Sequence, residues 1–152
     1  FGLKIVYHTR NLQADQPYGH YPRLVEMARD VDILMVIVPG GATTRHMINA
    51  QVLEALGPSG YLVNVARGSV VDEPALIKAL QEGKIAGAAL DVFENEPESI
   101  RADSPLVGYA SAHDNLLITP HIGGNTFESF EKTERFIATK VIAALRQLEA
   151  SP

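Results

Sequence analysis

The sequence predicts an α/β protein with a doubly wound parallel sheet, and two observations support this prediction. Short apolar runs typical of strands alternate with helical patterns along the 152 residues, as in chains built from βαβ units. The stretch Tyr61–Pro97 contains one complete unit, in which a helix begins at Asp72-Glu73-Pro74 and ends at Gly83 between two strands. Because the crossover holds one helix, we expect the two strands to be parallel and their connection to be right-handed.

Five strands are predicted, each an apolar run that ends at polar or turn-forming residues: Leu3–Tyr7, Ile33–Val38, Tyr61–Val65, Ile85–Leu90 and Leu116–Thr119. The run Ile33–Val38 has no polar residue, which is typical of a strand buried on both faces. Helical spacing of apolar residues predicts three helices besides the one after Asp72: Arg23–Arg29, Thr43–Leu56 in two pieces, and a final helix over 126–149. The segments Asn11–Tyr21 and Pro97–Asn115 are predicted to be loops, and the second is long enough to suggest a function.

Composition excludes several classes of protein. A formal charge of −5 with no basic tract argues against nucleic acid and anionic membranes as partners. The longest apolar run is too short to span a bilayer, and no signal peptide precedes the first strand. The chain has no cysteine, which excludes a disulfide scaffold and a thiolate metal site and suits a cytoplasmic protein.

Charged and titratable residues follow the predicted strands, where ligand sites of such sheets lie. They are Thr9 and Arg10, Pro39-Gly40-Gly41, Arg67, Asp91 to Glu96, and His121. An arginine can hold a substrate carboxylate with two hydrogen bonds. A histidine can move a hydroxyl proton, and a carboxylate on its other ring nitrogen orients it and strengthens it as a base. Hydride transfer on a 2-hydroxy or 2-keto acid needs this combination.

Each of these residues also has a structural interpretation. Arg67 could be a surface charge beside a helix, and Asp91 could cap a turn. The acidic loop that holds Glu96 also contains Glu94 and Glu98, and any of the three could be a solvated charge. His121 could be a structural histidine before a Gly-Gly turn. The remaining histidines are interpreted as surface or structural residues: His8, His20, His46 and His113.

Three blocks of sequence closely resemble the D-isomer-specific 2-hydroxyacid dehydrogenase family. They are NVARGSVVDE at Asn64–Glu73, AALDVFENEP at Ala88–Pro97 and TPHIGG at Thr119–Gly124. The resemblance implies a Rossmann-type fold, with Arg67 as the anchor of the substrate carboxylate, His121 as the acid/base and Glu96 as its partner. It also implies that Asp91 lies near the nicotinamide carboxamide.

The resemblance implies a dinucleotide cofactor as well. Val38-Pro39 and the segment from Thr44 look like the part of the family that lies beside the cofactor ribose. The cofactor-binding residues implied in this way are Val38, Pro39, Thr44, Ala66, Arg67, Asp91, His121 and Gly123. After the first strand, where NAD-specific relatives usually carry an acidic residue, this chain has Thr9 and Arg10. An arginine there can accept a 2′-phosphate, so NADP(H) is favoured and NAD(H) remains possible.

These features predict a reductase of small 2-keto acids such as glyoxylate or hydroxypyruvate, which forms a homodimer in the complete protein. The alternative is a non-catalytic dinucleotide-sensing module, because transcriptional corepressors resemble the same family. A third interpretation, a metal-dependent hydrolase using His121, Asp91 and Glu96, is disfavoured because the sequence has no His-x-His, HExxH or cysteine pair. We therefore expect no metal site.

The resemblance also implies that residues 1–152 are a partial dinucleotide-binding domain, whose glycine-loop βα unit and substrate domain lie outside this chain. We expect strands 3–7 and 33–38 to pair, and the other three strands to form a second group, with the absent strand between the groups. The isolated chain is then expected not to fold as a stable monomer and to bind NADPH weakly. The final helix, 126–149, is expected to contact the substrate domain.

Overall fold

The structure, a computed structural model, describes residues 2–94, 96 and 104–149. Asn95, Pro97 and Glu98, which the sequence analysis names, lie outside the described residues. The chain divides into two compact units, Phe1–Pro120 and His121–Pro152, and each is described by itself.

Strands and helices alternate along the first unit. They are β1 (Val6–Tyr7), β2 (Gly19–His20), α1 (Leu24–Arg29), β3 (Ile33–Val36), α2 (Ala50–Leu56), β4 (Tyr61–Asn64), α3 (Glu73–Gln81), β5 (Gly87–Leu90), α4 (Pro105–Ala112) and β6 (Leu116–Ile118). A short 3₁₀ turn, Gly68–Val70, lies between β4 and α3. This alternation confirms the predicted α/β class.

The main sheet is parallel and has the strand order β3-β4-β5-β6. The predicted gap between 33–38 and 61–65 is wrong, because β3 pairs directly with β4, with Met35 opposite Val63. The predicted pairing of 3–7 with 33–38 is also wrong. Instead, β1 pairs with β2 in a separate parallel sheet, with Val6 opposite Gly19. Among the described residues, the break in strand pairing therefore lies between this small sheet and β3. The predicted break lay one strand later, between β3 and β4.

One face of the main sheet carries the core. Leu34 and Val36 of β3 are buried there, and helices α1 to α4, each in contact with the next, supply the other side of the same cluster. The opposite face is apolar and exposed, and Ile37 just beyond β3 has 72% of its surface in solvent. The prediction that Ile33–Val38 is buried on both faces is therefore wrong, because its burial alternates as in a strand covered on one side.

The helix of the central unit is confirmed. Asp72 precedes α3 and its Oδ1 accepts a hydrogen bond from the Ala75 N–H at 3.0 Å, Pro74 lies in the first turn, and Gly83 follows the helix with φ 64°. These are the start and stop signals that predicted it.

Two other helical predictions need correction. The segment Thr43–Asn49 is not helical, because it forms turns and an isolated bridge from Ile48 to Val71, and α2 begins only at Ala50. The predicted loop Pro97–Asn115 contains α4, and the predicted loop Asn11–Tyr21 contains β2. The signal for β2 was weak, since this strand is two residues long. For α4 a start signal was present but missed, because Ser104 stands at the N-cap position and Pro105 in the first turn.

The second unit contains helix α5, Phe127–Glu149, which confirms the predicted final helix. The Thr126 hydroxyl accepts a hydrogen bond from the Ser129 N–H at 3.2 Å, as an N-cap does. Apolar side chains along the helix are exposed: Phe127, Phe130, Phe136, Ile137, Val141, Ile142 and Leu145. In the part of the chain that is described, no helix is both long and apolar enough to cross a membrane.

Candidate functional site

The loops that carry most of the predicted site residues leave the same edge of the main sheet. Val36, Asn64, Leu90 and Ile118 lie side by side at the last paired position of the four strands. All four strands are parallel, so the segments that follow them emerge at the carboxyl edge, where ligand sites of such sheets lie.

Asn64 shapes the turn that carries Arg67. Its side chain is only 1% exposed, and among the described residues it is the one buried polar side chain. Its Oδ1 accepts a hydrogen bond from the Ala66 N–H at 3.0 Å, and its Nδ2 donates to the Arg67 carbonyl oxygen at 3.1 Å. Both amide atoms are therefore used to close the turn, which fixes the backbone at Arg67.

Arg67 is an exposed residue at this edge. Its Nη1 donates to the Ala66 carbonyl oxygen at 2.6 Å. Gly40, in the turn after β3, lies against the stem of the same side chain, since a Cβ at Gly40 would come within 2.9 Å of the Arg67 Cγ. Arg67 is thus a cation held between the turns that follow β3 and β4.

The next residue, Gly68, joins the Arg67 turn to the loop after β5. A Cβ at Gly68 would overlap the carbonyl group of Phe93 and the backbone nitrogen of Glu94. Only glycine permits this approach, because the overlapped atoms are backbone and cannot rotate away. The two loops are therefore packed backbone against backbone.

The loop after β5 carries the predicted acidic residues. Asp91, half-buried, accepts a hydrogen bond from the Thr119 hydroxyl at 2.5 Å, which links it to the end of β6. The carboxylate of Glu96 accepts a hydrogen bond from the Phe93 N–H at 2.6 Å. Asp91, Glu96 and Arg67 thus belong to one edge of the first unit.

Glu94 is not a solvated charge. Its side chain is 16% exposed and its carboxylate pairs with Arg45 and His46, at 2.6 and 3.1 Å. The Glu94 N–H donates to the Glu73 carboxylate at 2.6 Å. Burial raises the pKa of the Glu73 carboxyl above its ordinary value, and the neighbouring Glu94 charge acts in the same direction, against the opposing effect of the hydrogen bond.

The predicted phosphate-binding residues lie at the end of β1. Arg10 is exposed, and the neighbouring Thr9 is held by two bonds. The Thr9 hydroxyl donates to the Asn11 carbonyl oxygen at 2.6 Å, and the His20 Nε2 bonds to the Thr9 carbonyl oxygen at 3.0 Å. His8 bonds through Nδ1 to the Tyr21 carbonyl oxygen at 2.8 Å. The turn that presents Arg10 is thus fixed by His8, directly after β1, and by His20 of β2.

The predicted ribose segment lies in the turn after β3. Thr44 donates its hydroxyl proton to the Pro39 carbonyl oxygen at 2.8 Å, which closes the turn after Val38. Ala66 is buried beneath the Arg67 turn. These residues lie on the same edge as Asp91 and Arg67.

His121 begins the second unit, where its side chain is exposed and its backbone has φ 53°. Gly123, the remaining predicted cofactor residue, follows it in an exposed turn. Within the described residues, no group of three or more His, Cys, Asp or Glu side chains is placed to hold a metal ion.

Sequence reasoning missed Asn64 and Glu94. The signal for Asn64 was a polar residue inside an apolar strand, where a buried amide must satisfy its hydrogen bonds locally. Glu94 gave no such signal, since its partner His46 is 48 positions away in the chain.

Replacing Asn64 with aspartate is expected to lower the free energy of unfolding by about 1–3 kcal/mol, because an oxygen would then face the Arg67 carbonyl without a donor. Asn49→Asp is the matched control. Asn49 caps α2 through its Oδ1, which aspartate keeps. Denaturant unfolding of both variants measures the difference, and equal midpoints would show that the Asn64 amide does not hold the turn.

Comparison with known proteins extends this picture. Residues 1–123 match the sequence model of the family described as "D-isomer specific 2-hydroxyacid dehydrogenase, NAD binding domain". The chain is 43% identical over 129 residues to glyoxylate/hydroxypyruvate reductase A of Arabidopsis thaliana. This alignment covers 85% of this chain and 39% of the relative. It is also 43% identical over 149 residues to a glyoxylate reductase of Pyrococcus furiosus, covering 96% of this chain and 42% of that protein.

Solved structures give the same result. An NADPH-dependent glyoxylate/hydroxypyruvate reductase from Sinorhizobium meliloti, in complex with NADP and malonate, is 47% identical with a TM-score of 0.76 over 84% of this chain and 38% of its own. A D-isomer-specific 2-hydroxyacid dehydrogenase from Lactobacillus delbrueckii in its NAD-complexed form is 29% identical, with a TM-score of 0.84 over 95% of this chain and 47% of its own. The predicted Rossmann-type doubly wound fold is confirmed by these likenesses. The chain spans about 40% of the length of the curated relatives it matches.

Proposed function

The chain belongs to the family of D-isomer-specific 2-hydroxyacid dehydrogenases, and we propose that the complete protein is an oxidoreductase of small 2-keto and 2-hydroxy acids. It transfers a hydride between a nicotinamide cofactor and a substrate such as glyoxylate or hydroxypyruvate. The observation that carries this proposal is the Arg67 turn, which presents a cation at the carboxyl edge beside the loop of Asp91 and Glu96.

The roles proposed for the catalytic residues rest on the family resemblance, and the chemistry of each side chain suits its role. Arg67 binds the substrate carboxylate through two guanidinium N–H groups and turns the carbonyl carbon toward the cofactor. When bound, the nicotinamide supplies the hydride for reduction or accepts it on oxidation. His121 donates a proton to the carbonyl oxygen on reduction and takes it back on oxidation, and Glu96 orients the imidazole. The pairing of Glu96 with His121 rests on the family resemblance.

The charged and polar residues that follow the strands suit a dinucleotide cofactor. The exposed Arg10, beside the fixed Thr9, suits a 2′-phosphate, so we propose NADP(H) with NAD(H) as an alternative. The Asp91 carboxylate can accept an amide N–H of the nicotinamide carboxamide. The other residues proposed to line the cofactor are Val38, Pro39, Thr44, Ala66, Arg67, His121 and Gly123.

Arg10→Ala is expected to weaken NADPH binding by about 1.5–3 kcal/mol more than NADH binding, because only NADPH offers a phosphate to this guanidinium. Titration of the complete protein with each cofactor measures both affinities. Arg29→Ala, which removes another exposed cation near the end of α1, is the matched control for net charge. Equal losses for the two cofactors would contradict the assignment of Arg10.

Turnover tests the proposed activity directly. The complete protein, mixed with NADPH and glyoxylate or hydroxypyruvate, is expected to consume NADPH and form the corresponding hydroxy acid. A protein that binds NADPH but reduces no 2-keto acid in a panel would instead be a dinucleotide-sensing module. The relatives reported above are named as reductases and dehydrogenases, so they give this corepressor-like alternative no support.

We also propose where the chain belongs in the complete protein. The family match supports the assignment of residues 1–152 to a partial dinucleotide-binding domain, and the exposed apolar residues of α5 suit a contact with the substrate domain. The cysteine-free composition supports a cytoplasmic location. A homodimer is proposed on the family resemblance, and light scattering of the complete protein would measure its mass.

A further inference from the structure

Glu94 joins three segments of the first unit. Its carboxylate bonds to Arg45 Nη2 at 2.6 Å and to His46 Nε2 at 3.1 Å, both in the turns after β3. Its backbone N–H donates to Glu73, in the first turn of α3, at 2.6 Å. The loop after β5 is therefore tied at one residue to the segment after β3 and to the start of α3.

Carboxylates and basic side chains lie together in this cluster. Glu73, Glu94 and Glu96 bring three carboxylates to one region, and burial raises the pKa of the Glu73 carboxyl. The Arg45 guanidinium offsets part of this negative charge, and the His46 imidazole bonds to the Glu94 carboxylate. Because a carboxylate accepts only, His46 must carry its proton on Nε2 in this pair. The Glu94 side chain is 16% exposed, so removing its charge would weaken the bonds that hold it to Arg45 and His46.

The same loop segment supports both groups of the proposed site in the first unit. The Phe93 N–H donates to the Glu96 carboxylate at 2.6 Å, and the Phe93-Glu94 backbone packs against Gly68, next to Arg67. From the other side, the His46 N–H donates to the Ser69 carbonyl oxygen at 2.9 Å. A displacement of Glu94 would therefore also displace Glu96 and the Arg67 turn.

We propose that Glu94 is a positioning residue, whose pairing with Arg45 and His46 holds the Phe93-Glu94 backbone so that Glu96 keeps its working place. This inference rests on the proposed function, since it concerns the acid/base pair of that reaction. It assigns to Glu94 no contact with substrate or cofactor.

The test compares Glu94→Gln with Glu96→Gln in the complete protein. Glu94→Gln keeps the size of the side chain and removes its charge. We expect kcat for glyoxylate reduction to fall by about ten- to a hundredfold, as displaced catalytic groups do, and the dissociation constant of NADPH to stay within about twofold. The pH profile should move in the same direction as in Glu96→Gln. Glu54→Gln is the matched control, since it breaks the exposed pair of Glu54 with Lys84 at 3.1 Å and should leave kcat unchanged.

The double variant separates positioning from a general loss of structure. If Glu94 acts through Glu96, adding Glu94→Gln to Glu96→Gln should lower kcat by less than about threefold further. Independent, multiplying effects would overturn the inference, as would an unchanged kcat in Glu94→Gln. If Glu94→Gln does not fold, Arg45→Gln replaces it, because Arg45 is 57% exposed, and the same non-additivity with Glu96→Gln is required. Failure of the proposed function would differ from all of these outcomes, because the unmodified protein would then have no activity.

Discussion

Replacing His121 with alanine in the complete protein is expected to lower kcat for 2-keto acid reduction by about 10²–10⁴-fold at every pH. The imidazole is the proposed proton donor to the carbonyl oxygen, and alanine offers no proton. Cofactor affinity should change little by comparison, so the loss should appear in single-turnover rates. His113→Ala is the control, because His113 bonds to the Tyr109 carbonyl oxygen at 3.0 Å and stacks on the Tyr109 ring, away from the proposed chemistry.

A companion variant tests the partner of this histidine. Glu96→Gln should move the pH profile of the reaction toward acid, because a neighbouring carboxylate favours the protonated imidazole and glutamine does not. Binding of NADPH should be nearly unchanged. A profile that stays in place would mean that Glu96 does not act on His121, and a His121→Ala variant with full activity would remove the proposed acid/base altogether.

Gly68→Ala is expected to destabilise the protein by about 3 kcal/mol or more, at the upper end of the effects of overpacking. The added Cβ would overlap the carbonyl group of Phe93 and the backbone nitrogen of Glu94, and neither can move unless the loop after β5 moves. Since that loop carries Glu96, activity should fall together with stability.

Gly108→Ala is the control for this substitution. Gly108 lies within α4, where a Cβ would meet no heavy atom within 4 Å. Alanine should be neutral there or stabilise the helix by up to about 1 kcal/mol. Thermal unfolding of both variants gives the comparison. A Gly68→Ala protein with the same melting temperature as the unmodified protein would show that the loops after β4 and β5 can separate without loss of stability.

Local signals predicted the fold well where they were strong. Asp72, Pro74 and Gly83 marked both ends of α3, and a single-helix crossover implied the parallel pairing that β4 and β5 show. Tertiary context was needed elsewhere. An apolar run such as Ile33–Val38 shows that a strand can be buried, but not which of its faces is covered.

The candidate site could also be predicted only in part from local signals. The position of Arg67 at the carboxyl edge could be predicted, because it depends only on where a parallel strand ends. The pairing of Glu94 with His46 could not, because it joins residues 48 positions apart that meet only when β3 and β5 lie in one sheet with β4 between them. The place of a residue after a parallel strand predicts that it lies at the carboxyl edge of the sheet. Contacts between loops depend on which strands are neighbours in the folded sheet.

Two histidines have left-handed backbone conformations, His46 with φ 48° and His121 with φ 53°. Such a conformation destabilises the fold by about 1–2 kcal/mol when the residue is not glycine, whereas a glycine there has no such penalty. Thermostability engineering that ranks positions by backbone strain would therefore select these two for replacement by glycine or asparagine. Any gain in melting temperature there would be made at residues proposed to carry out the chemistry or to hold its loop. Stabilising substitutions should therefore be sought elsewhere in the chain.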